Sequence, residues 1–589
     1  MKKTIYIFAL SFFLFRNTKA QTTLIWEHSY GGSDFEQPFG SEPTADGGII
    51  LGGHSISNNG DITSNFGDYD WWVFKINDEG NIVWQKSYGG SLYDKCRYAT
   101  ENPDGTSLAF GSVKSNDYDV AGNHTPGEND YWLLKLDPVG NIIWSKCYGG
   151  TAEEGGRSVI RTLDGNYLVA GYTHSDDGDV SFRYGGYDVW LIKVSSNDGS
   201  IIWGKTFGGT KDERVRSIAQ WPNGDFVFSG NTQSSDYDLD GTTNNGEEDV
   251  YVARIDSSGH LVWSKQYGGP GQDRAYYCTR DIDGNVLVAG KDSANGGAVT
   301  GNHGESDVWV FKLKYSDGSM MWQKSFGGTL DDEGFRINPA PDGGYIIGAT
   351  SESSDGDSPL NRGHSDYWFI KTDSALNIQW TRTDGGPGYD HLNDIILKDD
   401  GTFVGIGFSN SDPGTVSEVS GNHGSFDEWL VRISFCDADI TITPSDTVSI
   451  CGEDGITLLA PDAESYLWSN GETGQSIRVT ATGNYTVKIT QARGTCIRNS
   501  LPVYVIANNF DMYPNPAIDK INFSIGLTEG DSASFTFYNT MGEKMLQKNL
   551  IFNNGLNTDD FLINHLPKGI LIVEMEHNGC VLRRKLVKG

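Results

Sequence analysis

Short apolar runs bounded by glycine, asparagine and aspartate recur along most of this chain. The clearest is Ile82–Gly90, IVWQKSYGG, and its copies begin at Leu24, Ile142, Ile201, Leu261, Met320 and Ile378. Their tryptophans (Trp26, Trp84, Trp144, Trp203, Trp263, Trp322 and Trp380) stand 58 to 60 residues apart. A period that regular means one structural unit per repeat. Each unit divides into four strand-length pieces, A to D, which in the third read GRSVIRTLDG, NYLVAGYT, DVWLIKVSSNDG and SIIWGKTFGG. Turn residues separate them. Seven four-stranded units around an axis predict an all-β fold, a seven-bladed β-propeller.

The turns and strands repeat as well. Between A and B stands Asp-Gly or Asn-Gly, at Asp46, Asp104, Asp164, Asn223, Asp283, Asp342 and Asp400. That pair reaches positive φ at little cost and suits a tight hairpin. Strand C carries D-x-[W/Y]-x-x-[K/R], with aromatics at Trp72, Trp132, Trp190, Tyr251, Trp309, Trp368 and Trp429. A large ring needed in every unit points to packing between blades rather than to a binding platform. The first D strand precedes every A strand, so Leu24–Tyr30 is expected to complete the last blade beside Glu428–Ile433. Basic residues two positions after most strand D tryptophans, such as Lys86 and Lys146, suit an outermost strand, because edge charges discourage sheet-to-sheet pairing.

Composition narrows the partners. A net charge of −33 over 589 residues opposes phosphate backbones and anionic membrane surfaces alike. Lys2 and Lys3, an apolar run from Ile5 to Phe15 and Ala20 before Gln21 read as a secretory signal peptide over residues 1–20. No later stretch is long enough to span a bilayer as a helix. The propeller is then expected over residues 21–436.

Residues 437–507 read as a small sandwich in which Cys451, Trp468 and Cys496 stand in the order of an immunoglobulin-like domain. The stretch YLWSNGETGQSIRVTATGNYTV resembles such modules, and Cys451–Cys496 is its candidate disulfide. Seven cysteines leave at least one outside any intrachain bridge. From residue 508 the chain reads YPNP at Tyr513, YNTMGEKM around Gly542, LPKGILIV at Leu566 and the basic end RRKLVKG. Residues 508–589 resemble the type A sorting domains of proteins exported by the type IX secretion system, although Leu571 stands where that family usually has tyrosine. The resemblance implies recognition by the outer-membrane translocon and its sorting protease, and delivery to the medium or the cell surface.

Candidate chemistry is acidic. Every unit has an acid six residues after the aromatic of its Y/F-G-G, or after Asp384 in the last: Glu36, Asp94, Glu154, Glu213, Asp273, Asp332 and Asp390. A ring of acids can steer a basic ligand or hold a cation; its sevenfold recurrence favours carboxylates that accept backbone N–H groups and fasten one blade to the next. Asp236, Asp238, Asp240, Thr242 and Glu247 fit the spacing of a calcium loop, which makes Ca2+ the one candidate cofactor. His124, His303 and His423 recur in G-N-H turns of the same loops. The segment Gly199–Thr206 imitates a phosphate loop, but it lies in strand D with no helix to follow. The turn Asp137–Trp144 resembles the tryptophan motif of quinoprotein-like propellers, whereas seven short units and no adjacent cysteines argue against a bound quinone. The expected function is binding of a glycan, protein or envelope ligand. The alternative is a glycoside hydrolase with a carboxylate pair in the units with long intervals, Asp104–Asp130, Asn223–Asp249 or Asp400–Asp427.

Overall fold

The computed structural model describes residues 22–589, apart from 240, 242, 341–342, 399, 413–418, 436–439, 446, 452–454, 464, 492–495, 509, 526–531, 552–555 and 578–579. The signal peptide read over residues 1–20 lies outside the described residues. Two compact units emerge, Thr22–Phe435 and Cys436–Gly589.

The first unit consists of seven four-stranded antiparallel sheets. Blade 1, for example, runs Glu36–Pro43, Ile49–Ser55, Asp70–Ile76 and Ile82–Tyr88 from the inside outwards. The last blade takes three strands from Asp390–Leu397, Thr402–Ser409 and Asp427–Phe435, and its fourth is Thr22–Tyr30. Register runs from Thr22 opposite Phe435 to Tyr30 opposite Glu428. Seven blades closed by the N-terminal strand is the architecture that the repeat count predicts.

The repeated motifs make the joints between blades. Strand C rings from Trp72 to Trp429 are at most 1% exposed, and their apolar clusters draw on two neighbouring blades: Trp132 packs with Val73 and Tyr88 of blade 1 and with Ala99 and Ala109 of blade 2. Burying aromatics there supplies most of the attraction between otherwise separate sheets. Strand D grips the C–D turn of the blade that follows. The Tyr30 hydroxyl donates to the Gly80 carbonyl at 2.6 Å, Tyr148 to Gly199 at 2.6 Å, and Tyr88 likewise to Gly140. Gly140 has φ +83°, and a Cβ there would meet the Trp84 ring at 2.9 Å. The D-x-x-G-N turn therefore needs its glycine both for conformation and for room.

In the second unit, Val448–Cys451 pairs in parallel with Val503–Asn508, and two small antiparallel sheets complete a core around Trp468, Ile489 and Val505. The Cys451 and Cys496 side chains, the expected bridge, lie outside the described residues. Cys580 is disulfide-bonded, which spacing did not suggest. Cys96, Cys147 and Cys278 of the propeller are free. Further on, Ser532–Tyr538 and Gly569–His577 form the middle of a four-stranded sheet whose edges are Lys544–Ile551 and Cys580–Lys588.

Candidate functional site

All seven acids of the predicted ring are fully buried. Each accepts a hydrogen bond from the second glycine of the preceding Y/F-G-G, or of Asp384-Gly-Gly in the last, from Gly32 N–H to Glu36 at 2.8 Å round to Gly386 N–H to Asp390 at 2.7 Å. Each also accepts from the end of strand B in its own blade: Thr173 Oγ1 donates to Glu154 at 2.6 Å, and the Lys114 N–H to Asp94 at 2.9 Å. The carboxylate thus bridges the exit of one blade and the first two strands of the next.

A second ring of acids, the aspartates that open strand C, was not singled out in the sequence. Asp70, Asp130, Asp188, Asp249, Asp307, Asp366 and Asp427 are at most 1% exposed. One oxygen of each accepts a backbone N–H just upstream, such as Arg362 N–H to Asp366 at 2.8 Å. The other oxygen, Oδ1, has no protein partner in any of the seven. It points at the strand A acid of the following blade: a Cβ on Gly149 would meet Asp130 Oδ1 at 2.5 Å and Glu154 Oε2 at 2.4 Å. Burial, and after it the neighbouring carboxylates, pushes Asp70, Asp188 and Asp366 up to about 7 and Asp249 to about 6. Such groups bind a proton more tightly folded than unfolded, where a carboxyl titrates near 4. Their stabilising contribution is complete below about pH 4 and is lost as the pH rises through 6 to 7. The propeller is therefore expected to melt several degrees higher at pH 5.5 than at pH 8 by scanning calorimetry, with the difference reduced in Asp70→Asn. Stability that falls on acidification across that interval contradicts this account.

The described calcium-loop candidates each accept a hydrogen bond from a neighbouring segment. Asp236 accepts from Thr210 N–H and Oγ1 at 2.9 Å, Asp238 from Gly208 N–H at 3.2 Å, and Glu247 from Gln272 Nε2 at 2.8 Å. Asp240 and Thr242 lie outside the described residues. Among the described residues no three His, Cys, Asp or Glu side chains are grouped to hold a metal. His124, His303 and His423 each set Nδ1 within 2.7 Å of the strand C aspartate of their own blade, closing the turn.

The cavity lies elsewhere, on the axis. It measures about 480 Å³ and takes part of its wall from strand A of every blade. In all seven blades the register of A against B slips by one at the third residue after the strand A acid. That bulge leaves Phe39, Arg97, Arg157, Arg216, Tyr276, Phe335 and Asn393 unpaired in the ladder, and all seven line the cavity. Bulges re-aim side chains in this way and are common beside binding sites. Strand A varies at most of its positions from blade to blade, so spacing alone does not mark the bulged one.

The wall is electrically one-sided. Asp394 pairs with Arg336 at 2.7 Å, Glu333 pairs with Lys291, and Glu42 accepts from the Tyr98 hydroxyl. Arg97 lies over the Phe39 ring, its guanidinium carbon 3.8 Å from the centroid. No carboxylate lies within ion-pair reach of Arg97, Arg157 or Arg216 among the described residues, and Nε of Arg157 and Arg216 is buried with no partner. Burial, and then repulsion from Arg157, lowers Arg216 to about 10; burial with Arg97 and Arg157 lowers the adjacent Lys95 to about 7.

In the second unit, Asn515 of the YPNP segment clamps the last strand. Its Nδ2 donates to the Lys585 carbonyl at 2.9 Å and its Oδ1 accepts the Val587 N–H at 2.9 Å. Gly542, at φ +82°, makes the turn of YNTMGEKM, while Leu566, Leu571 and Val573 of the LPKGILIV stretch enter the core. Residues 511–589 match the family model described as the secretion system C-terminal sorting domain. The chain carries a sorting domain. A sorting domain of this kind implies engagement of the type IX secretion system, and no helix among the described residues is long and apolar enough to cross a membrane. A curated relative, the regulatory protein FlaEY of Caulobacter vibrioides, is 25% identical over 425 residues, covering 55% of this chain and 43% of its own length. The chain thus spans under half of that relative. Similar solved structures include puromycin hydrolase (TM-score 0.37, 10% identity, 77% of this chain and 58% of that one). Another is the quinohemoprotein alcohol dehydrogenase of Comamonas testosteroni (0.31, 10%, 81% and 73%). A third is a DUF4221 family member from Bacteroides vulgatus (0.32, 10%, 72% and 100%). These likenesses carry no argument about chemistry.

Proposed function

We propose that this chain is an exported binding protein, displayed or released through its sorting domain, that takes its ligand in the axial cavity of the propeller. The supporting observation is the bulge of strand A. In every blade the slip in register falls at the same position, and the residue left out of the ladder there lines the cavity. A cavity of a few hundred Å³ lined by rings and a few convergent polar groups is the usual form of a small-ligand site. The acids at the blade joints serve hydrogen bonds within the ring, and the three wall carboxylates are each engaged. That distribution favours retention of a ligand over hydrolysis by a free carboxylate pair. Residues 437–507 act on this reading as an immunoglobulin-like spacer. The test is a screen of the purified exported protein against glycans and small anions, with reducing-end release followed in parallel. A bound ligand recovered intact is the expected result, and catalytic release of reducing ends would refute the reading.

A further inference from the structure

We propose that the axial cavity is an anion site, in which Arg97, Arg157 and Arg216 together hold a small organic ligand bearing two or more carboxylate or sulfate groups. This deepens the cavity-binding reading and rests on it.

Three features converge. The arginines occupy the same bulged position in three consecutive blades, so they form one continuous arc rather than scattered charges. They have no protein counter-ion, although the chain carries an excess of acids and strand A of every blade opens with one. Burial, and after it the other two guanidiniums, lowers Arg97 well below the usual arginine value, as expected of like charges held close together. Buried like charges without partners cost stability, and a planar fork of donors is the side chain best matched to carboxylate and sulfate oxygens. The rest of the ring is Tyr276, Phe335 and Asn393, with Phe39 under the Arg97 guanidinium, which sets apolar faces and one amide beside the charged arc. A ligand with anionic groups on one side and a carbon skeleton on the other fits that division. Its neutralisation by the arc would be local, since the chain's overall charge of −33 opposes non-specific capture of anions.

The test uses the full exported chain, isothermal titration calorimetry and thermal melting, with sulfate, citrate, a disulfated disaccharide and uncharged cellobiose as probes. Citrate or the disulfated disaccharide is expected to bind, cellobiose is not, and Arg157→Gln is expected to weaken binding at least tenfold. The same substitution is expected to raise the melting temperature of the ligand-free protein, because it relieves repulsion; a merely structural arginine would lower it. Anion binding that survives Arg157→Gln in a folded protein, or a lowered melting temperature with no anion bound by the wild type, overturns the proposal. Should cellobiose bind and be lost in Tyr276→Ala while the anions do not, the cavity reading stands and the anion assignment fails. Should no probe depend on any cavity residue, both fail. Weak binding of sulfate alone, equal in wild type and variant, identifies an adventitious ion only and also overturns the proposal.

Discussion

A chain lacking Thr22–Tyr30 is expected to melt roughly 10 °C or more below the intact protein, because truncating a buried aromatic costs about 3–5 kcal/mol and two are lost. Tyr30 is 5% exposed, and Trp26 packs with it against the cluster of Trp72, Phe74 and Leu430. The deletion also leaves Asp427–Phe435 as an unpaired edge and removes the hydroxyl bond to Gly80. Bare edges recruit other strands, so aggregation should accompany the lower melting point. The milder Tyr30→Phe isolates one contribution and should cost about 1 kcal/mol. Calorimetry of the two variants beside the wild type checks both values. A deletion that melts with the wild type would mean that the last blade is complete without its N-terminal strand.

The second large effect concerns export. Removing residues 511–589 in a host with the type IX machinery is expected to reduce extracellular protein more than tenfold and to leave the chain in the periplasm, as read by fractionation and immunoblotting. The geometry suggests a finer probe. Asn515 joins the start of the sorting domain to its final strand through two hydrogen bonds, so Asn515→Ala should loosen that strand and reduce export without abolishing it. Normal export of the truncated chain contradicts the role given to the domain.

Repetition made the architecture legible. Seven tryptophans at a fixed period gave the blade number, and the one D strand ahead of every A strand gave the closure. What spacing could not reveal was register. Whether Arg97 points at the axis depends on the slip between Cys96 and Tyr98, and nothing in the local sequence separates a bulged residue from a paired one. The acids are conspicuous in the sequence because they recur, yet recurrence here marks joints. Asp236, the first residue of the calcium-like pattern, accepts the Thr210 N–H as Asp177 accepts that of Thr151 and Asp355 that of Thr329. The loop therefore echoes its neighbours in the ring. Asp70 and its six counterparts were visible as part of a strand motif, but the orphaned oxygen appears only when two blades are set side by side.

Hydrogen exchange of the backbone amides of Thr22–Tyr30 in the intact protein tests the closed seven-bladed ring most directly. The account predicts protection comparable to that of the partner strand Asp427–Phe435, since the two share one ladder. Exchange at the rate of a free peptide, with the partner strand also exposed, would contradict it.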